Sequence, residues 1–171
     1  KGHNVALLEK TKFPRYHVGE SLMPFCYFPL ERLGLASKMD EIGFTKKFSV
    51  QFVTEDGCQS RPFYFFQHYD HPSSTTWQVL RSQFDELIMD KARENGAEVR
   101  ELTTVKSFIE ESGSIAGVNV TSRDSEAYQL RAPMVIDASG RDTIAQNKRK
   151  WKKRDPELNK IAIWTYYKGA K

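Results

Sequence analysis

The sequence predicts an α/β fold of the Rossmann-like, nucleotide-binding kind, carrying antiparallel β insertions. Three observations predict it. Val5-Ala6-Leu7-Leu8 is a short apolar run ending in the carboxylate of Glu9, the pattern of a buried strand whose acidic end holds a ribose. A Gly19-Glu20-Ser21 turn follows and opens a helix, where free backbone N–H groups favour an anion. Met134-Val135-Ile136 is a second apolar run, delivered into Asp137-Ala138-Ser139-Gly140, small residues that permit close backbone approach. Together they point to a nucleotide cofactor. The glycine-rich phosphate loop that normally precedes such a strand is missing, so the chain reads as an internal piece of a longer protein, truncated at both ends.

The elements follow in order. Val5 to Glu9 is a strand. Glu20 to Leu33 is a helix: Pro24 suits its first turn, Phe25, Phe28, Leu30 and Leu33 give it an apolar face, and Pro29 kinks or splits it. A shorter helix covers Ala36 to Glu41. Phe48 to Val53 alternates as a strand, Glu55-Asp56-Gly57 turns, and Arg61 to Phe66 returns, giving an antiparallel sheet aromatic on both faces that needs a cover. His68 to Thr76 is a polar loop. Ser82 to Asn95 is the clearest helix: Ser82 and Asp85 form a capping-box-like pair, Phe84, Leu87, Ile88 and Ala92 recur at helical spacing, and Gly96 ends it. Ala97 to Arg100 is a strand. Val105 to Glu110, Ile115 to Thr121 and Ala127 to Ala132 form a three-stranded meander. Met134 to Ile136 is a buried strand, and Ile161 to Tyr167 another. The whole of 1–171 reads as part of one domain, with 44–80 an inserted antiparallel piece on the substrate side and 97–140 a strand, the meander and the return to the cofactor.

Composition narrows the class. The 171 residues, 39% hydrophobic, can bury one good core. No apolar run approaches the roughly 20 residues of a membrane helix, and no signal peptide opens the chain, so a cytoplasmic protein is expected. Cys26 and Cys58 make neither a disulfide framework nor a zinc site and read as packing residues. The net charge of +4 is local: Lys148, Arg149, Lys150, Lys152, Lys153 and Arg154 carry six positive charges, and +4 less six leaves −2 elsewhere. A solvated helix face with Trp151 packed inward is the expected reading of that stretch; nucleic-acid binding is not expected. His68 and His71 are spaced like metal ligands but lack a carboxylate or thiol partner, so no metal is expected.

This order of elements, with these residues, resembles the para-hydroxybenzoate-hydroxylase type of flavoprotein monooxygenase. Gly2-His3 before Val5-Ala6-Leu7-Leu8-Glu9-Lys10, Phe13-Pro14-Arg15 running into Gly19-Glu20-Ser21 and Pro24, Gln78-Val79 with Arg81, Phe84 and Asp85, Gly96-Ala97-Glu98-Val99, and Val135-Ile136-Asp137-Ala138-Ser139-Gly140-Arg141 carry the resemblance. The Gly-Glu-Ser-x-x-Pro turn is similar to that of the flavin-dependent halogenases, the tryptophan-halogenase-like branch. The resemblance implies FAD as cofactor. Glu9 is then the ribose ligand, Gly19, Glu20 and Ser21 lie beside the flavin ring, Arg81 faces the cofactor, and Asp137, Ser139 and Gly140 return the chain to it.

The halogenase branch also has a lysine just before a strand of the pattern Lys-x-x-(aliphatic)-x-Phe, matched by Lys47-Phe48-Ser49-Val50-Gln51-Phe52. Lys47 is the implied catalytic residue, steering hypohalous acid made from FADH2, O2 and halide. An ammonium can hydrogen-bond that acid, and a desolvated amine can form a haloamine. Lys46, its neighbour, alternates to the opposite face. The implied partners are a separate flavin reductase, halide, and a small-molecule or carrier-bound substrate. Two other readings stand beside this one. One is a non-halogenating flavin monooxygenase or a geranylgeranyl-reductase-like oxidoreductase; the other is a binding module working through 148–154. Taken alone, Glu9 fits a solvated strand end, Arg81 an ion pair with Asp85 or Glu86, and Asp137 to Gly140 a simple turn.

Overall fold

A computed structural model of the chain describes residues 2–123, 125–166 and 169. In chain order the elements are β1 (Ala6–Leu8), α1 (Tyr27–Arg32), α2 (Ala36–Ile42), β2 (Thr45–Lys47), β3 (Ser49–Val50), β4 (Phe63–Tyr64), β5 (Thr76–Gln78), α3 (Arg81–Glu94), β6 (Glu98–Arg100), β7 (Thr103–Glu111), β8 (Ser114–Ser122), β9 (Ser125–Arg131) and α4 (Ile144–Lys148). Two compact units result, residues 1–105 with 121–126, and residues 106–120 with 127–171.

In the first unit β1 and β6 pair in parallel, Ala6 opposite Glu98 and Leu8 opposite Arg100. A parallel pair needs a crossover between its strands, and α3 is its last helix. The ladder runs past β1: Glu9 N–H donates to the Arg100 carbonyl at 3.0 Å, and the Glu9 carbonyl accepts from Thr103 N–H at 2.9 Å. The strand therefore ends on Glu9, as its sequence predicts.

The core of this unit gathers Leu30, Leu35, Met39, Phe44, Trp77 and Val79, with Phe84 and Leu87 of α3 packed against it. Trp77 is almost wholly buried, and its indole N–H finds an acceptor in Asp40 Oδ1 at 3.0 Å. β5 is the spine of a small antiparallel sheet. Along one edge β2 sets Thr45, Lys46 and Lys47 opposite Gln78, Trp77 and Thr76. Along the other, Ser21 bridges to Gln78, Leu22 N–H reaches the Trp77 carbonyl at 3.0 Å, and Val79 N–H reaches the Glu20 carbonyl at 2.8 Å.

Several expectations change here. The helix expected over 20–33 is a 3-10 turn at Pro24–Cys26 followed by α1, because residues 20–22 are recruited to β5 as a strand edge. Pro29 neither breaks nor kinks α1; it sits in the first turn, where the backbone N–H groups have no intrahelical acceptor to lose. The hairpin expected over 48–66 closes through only β3 and β4, with a further Val53–Gln59 bridge, and Phe65–Gln67 turns into a 3-10 helix. Phe65 is buried, while Phe48, Phe52, Phe63 and Phe66 stay exposed. Cys58 is exposed too, its Sγ 3.3 Å from Asp56 Oδ2, and is no packing residue.

In the second unit the meander β7-β8-β9 buries Phe108, Ile109, Val118 and Val120. Gly117 is the residue this sheet cannot exchange. Its φ is +152°, and a Cβ built there lies 2.2 Å from the Leu130 carbonyl oxygen. Two expected strands do not form. Met134 and Ile136 are 75% and 81% exposed, and Ile161 and Ile163 are 88% and 89% exposed. No strand is assigned over 134–136 or 161–166. An apolar run becomes a strand only when a neighbour takes its backbone N–H and C=O groups, and among the described residues no ladder reaches these. Tyr167 lies outside the described residues. Trp151, expected to pack inward, is 68% exposed, because α4 stops at Lys148 before the helix face can extend to it. Among the described residues no helix is long and apolar enough to cross a membrane.

Candidate functional site

The end of β1 opens onto a cleft of about 260 Å³. Leu7, Phe13, Ile88, Met89 and Ala92 make its apolar lining; Glu9, Arg15, Arg81 and Asp85 supply two carboxylates and two guanidiniums. Strand alternation and the α3 period explain the arrangement. Arg81, Asp85, Ile88, Met89 and Ala92 recur at three- and four-residue spacing, which is one helix face, and it faces the strand end.

Glu9 is half spent. Its Oε1 accepts from Thr11 N–H at 2.9 Å and Thr11 Oγ1 at 2.8 Å, while Oε2 faces Arg15 at 3.6 Å, beyond hydrogen-bond length. Arg15 is loosely held on both sides, with Asp85 Oδ2 at 3.4 Å and Glu9 at 3.6 Å, and its guanidinium lies 4.7 Å over the Phe13 ring. Arg81 is the opposite. Its Nε and Nη2 grip Asp85 at 2.7 and 2.9 Å, and its Nη1 donates to the carbonyls of Val18 at 2.9 Å and Gly19 at 3.2 Å. Asp85 thus joins two arginines, and Arg81 clamps the Gly19 turn from beneath. Gly19 has φ +104°, and a Cβ there would stand 3.2 Å from Arg81 Nη1.

Lys47 meets the same turn from β2. Its Nζ donates to Ser21 Oγ and to the Leu22 carbonyl, the latter at 3.2 Å. Lys46 points the other way and pairs with Asp40 at 3.2 Å. The Asp40 carboxyl lies below its ordinary value because the Trp77 indole and then Lys46 hydrogen-bond its charged form. Of the residues the sequence nominates, Glu9 and Arg81 share the cleft, and Gly19, Ser21 and Lys47 share the turn; Arg81 belongs to both.

Asp137, Ser139 and Gly140 belong to the second unit. There Asp137 Oδ1 accepts from Ser139 N–H at 2.9 Å and Oδ2 from Ala145 N–H at 2.7 Å, while Ser139 Oγ accepts from Ile144 N–H at 3.1 Å. These groups cap the start of α4. They hold the Asp137 carboxyl below its ordinary value, the Ser139 side chain first, then the backbone N–H groups of Ala145 and Ser139. Of the basic stretch, Lys148 and Arg149 both reach Glu110, at 3.1 and 3.4 Å. In the first unit His71 Nδ1 accepts from Ser73 N–H at 3.1 Å, and His68 stacks on Phe63 with centroids 4.1 Å apart.

The sequence gives Arg15 no role and reads Asp85 as a cap with Ser82 or an ion-pair partner of Arg81; among the described residues α3 has no side-chain cap, and the ion pair is the one that forms. The Arg81–Asp85 pair was visible as an i,i+4 spacing. Arg15, 70 residues from Asp85, had only its place before the turn to mark it. The donor set fits FAD in its adenosine and phosphate part. A carboxylate oxygen not hydrogen-bonded to Arg15 suits vicinal ribose hydroxyls, a loosely held guanidinium suits a phosphate, and the apolar lining suits an adenine.

A parallel strand ending on a carboxylate, beside a turn clamped by Arg81, fits the class of dinucleotide-binding proteins. A family model described as "FAD binding domain" matches residues 29–162, and the chain belongs to that family. It is 36% identical over 172 residues to the brominase of 1H-pyrrole-2-carbonyl-(peptidyl-carrier protein) from Pseudoalteromonas luteoviolacea, covering 99% of this chain and 40% of that protein. Among solved structures it is similar to CmlS, a flavin-dependent halogenase, with a TM-score of 0.77 and 34% identity over 87% of this chain and 27% of that one. It is also similar to a flavoprotein/dehydrogenase from Cytophaga hutchinsonii, with a TM-score of 0.81 and 28% identity over 91% and 38% of the two chains. The chain spans 40% or less of the length of these three.

Proposed function

We propose that the protein carrying this chain is an FAD-dependent halogenase that makes hypohalous acid and directs it onto a small or carrier-bound substrate. The observation that carries the reading is the Lys47 ammonium held at the Gly19–Ser21 turn, in a chain whose family binds FAD. Bound as FADH2, the cofactor supplies two electrons that, with two from the halide, reduce O2 to water and hypohalous acid. The chain's own residues hold and orient. Glu9 Oε2 accepts from ribose hydroxyls and Arg15 neutralises a phosphate. Arg81 shapes the turn, whose Gly19, Glu20 and Ser21 border the flavin. Lys47 presents an N–H donor to the oxygen of hypohalous acid and limits its escape into solvent. Asp137, Ser139 and Gly140 keep the cofactor-binding role that the family resemblance implies. Residues 44–80 form the substrate-side piece and 97–140 the return to the cofactor. A cytoplasmic location and a separate flavin reductase belong to the same reading.

The test uses the whole protein with FADH2, O2 and bromide or chloride. Wild type is expected to give a halogenated product and Lys47→Ala to lose it by about a hundredfold or more, a general acid–base-sized effect, while flavin oxidation continues. Normal halogenation by Lys47→Ala would remove Lys47 from the mechanism. Product formation indifferent to halide would instead favour the second reading, a non-halogenating flavin oxidoreductase, which the likeness to the flavoprotein/dehydrogenase supports.

A further inference from the structure

We propose that the Ser21 hydroxyl is a positioning residue for Lys47, fixing its ammonium as a charged hydrogen-bond donor at the turn. The proposal rests on the halogenase reading and deepens it. A lysine side chain has four rotatable bonds and about 2 kcal/mol of rotamer entropy to lose before it can act at a defined point. Here two of its three N–H donors are given to Ser21 Oγ and the Leu22 carbonyl, leaving a third for a ligand. The arrangement fixes the position from which that third N–H is offered at the turn.

The anchor itself is braced. Ser21 bridges to Gln78, with backbone hydrogen bonds on both sides of it, while Lys47 is locked opposite Thr76 on the other edge of the same strand. Directly opposed residues share a face of a ladder. Ser21, Gln78, Thr76 and Lys47 therefore lie on one face, and Lys46 and Trp77 on the other, tied to Asp40. Thr76 is fully buried, and among the described residues its hydroxyl has no hydrogen-bond partner. Ser21 is thus the side-chain acceptor that Lys47 uses on a face where Lys46 cannot replace it. Because Lys47 takes only a lone pair of Ser21 Oγ, the Ser21 O–H stays able to donate as well.

The experiment compares Ser21→Ala, Ser21→Thr and Lys47→Ala in the whole protein with FADH2, O2 and bromide. Three readouts are used: the rate of halogenation, hypohalous acid captured by added taurine, and the ¹⁵N-lysine ammonium signals of the cofactor-free protein. Ser21→Ala is expected to lower halogenation about tenfold, the size of one lost hydrogen bond to a charged group. It should also raise the taurine-trapped fraction and remove one slowly exchanging ammonium signal. Ser21→Thr keeps the hydroxyl and restores all of these. Equal loss in Ser21→Ala and Ser21→Thr, or a halogenation rate and taurine-trapped fraction in Ser21→Ala matching wild type while Lys47→Ala is inactive, would overturn the proposal. Activity in Lys47→Ala would overturn the halogenase role of Lys47 instead, so the two failures are told apart.

Discussion

The Gly19–Ser21 turn and the Asp137–Gly140 loop follow the same local recipe, small and acidic residues after an apolar run, and the sequence nominates both as cofactor loops. They are built differently. The first turn is held by groups far away in the chain: Arg81 donates to the Val18 and Gly19 carbonyls from 63 and 62 residues on, and Lys47 donates to Ser21 from 26 residues on. The second is held by its own neighbours, Ser139, Ile144 and Ala145, within eight residues. A turn clamped by distant side chains keeps its shape only while the fold does, whereas a capping loop keeps its shape with the short helix it caps. Composition alone does not separate the two.

Three substitutions sharpen that contrast. The largest effect is expected from Asp85→Asn. It leaves two guanidiniums facing each other across a side chain only 12% exposed, so the turn loses its clamp and the cleft its charge balance. A loss of about 2 kcal/mol in unfolding free energy is expected, reduced from a fully buried pair by the partial exposure of both arginines. A fall of at least about tenfold in FAD affinity should accompany it. Denaturant unfolding and flavin fluorescence titration of the whole protein check it; an unchanged affinity would mean the clamp does not serve the cofactor.

Gly19→Ala is next. An alanine forced to φ +104° costs about 1–2 kcal/mol, and its Cβ presses on Arg81 Nη1. Weaker FAD binding, together with a lower unfolding midpoint, is the expected signature. A variant as stable as wild type would show that the turn relaxes without the arginine.

The smallest effect is expected at the other loop. Asp137→Asn should cost about 1 kcal/mol, the worth of a helix cap, and confine it to faster amide exchange over 144–148. A pH titration gives the same contrast. The Asp137 carboxyl is held below its ordinary 3.8, so its contribution is complete above that value and fades as pH falls through the lower folded value. Amide protection over 144–148 should drop in that acid window in wild type and not in Asp137→Asn. Exchange spreading through the whole chain in Asp137→Asn would place this loop in the same class as the first.

Much of the architecture was legible because it is written in local periodicity. The helix expected over 82–95 is α3, Arg81–Glu94, and the meander appears where its turns predict it. The site was legible in its pieces. Glu9 ends its strand, and Lys47 and Lys46 lie on opposite faces as alternation requires. Hidden were the pairings. Arg15 and Asp85 are far apart in sequence, and Asp85 looked like a cap until two arginines claimed it. Met134 to Ile136 and Ile161 to Ile163 carry strand-like side chains but find no ladder, since a strand needs a partner that its own residues do not name.

By itself, the sequence determined which segments could become strands or helices, where the chain must turn, and which chemistry each residue offers: a carboxylate at a strand end, a lysine beside β3, glycines at tight bends. Those are properties of one residue and its near neighbours, carried by sterics and short-range hydrogen bonding. Only the tertiary structure decided that residues 20–22 serve as a strand edge rather than a helix, that Arg81 clamps the turn, and that Lys47 ends on Ser21. Each of those depends on closing a loop of many residues, and the partner that closes it is chosen by the packing of the whole unit.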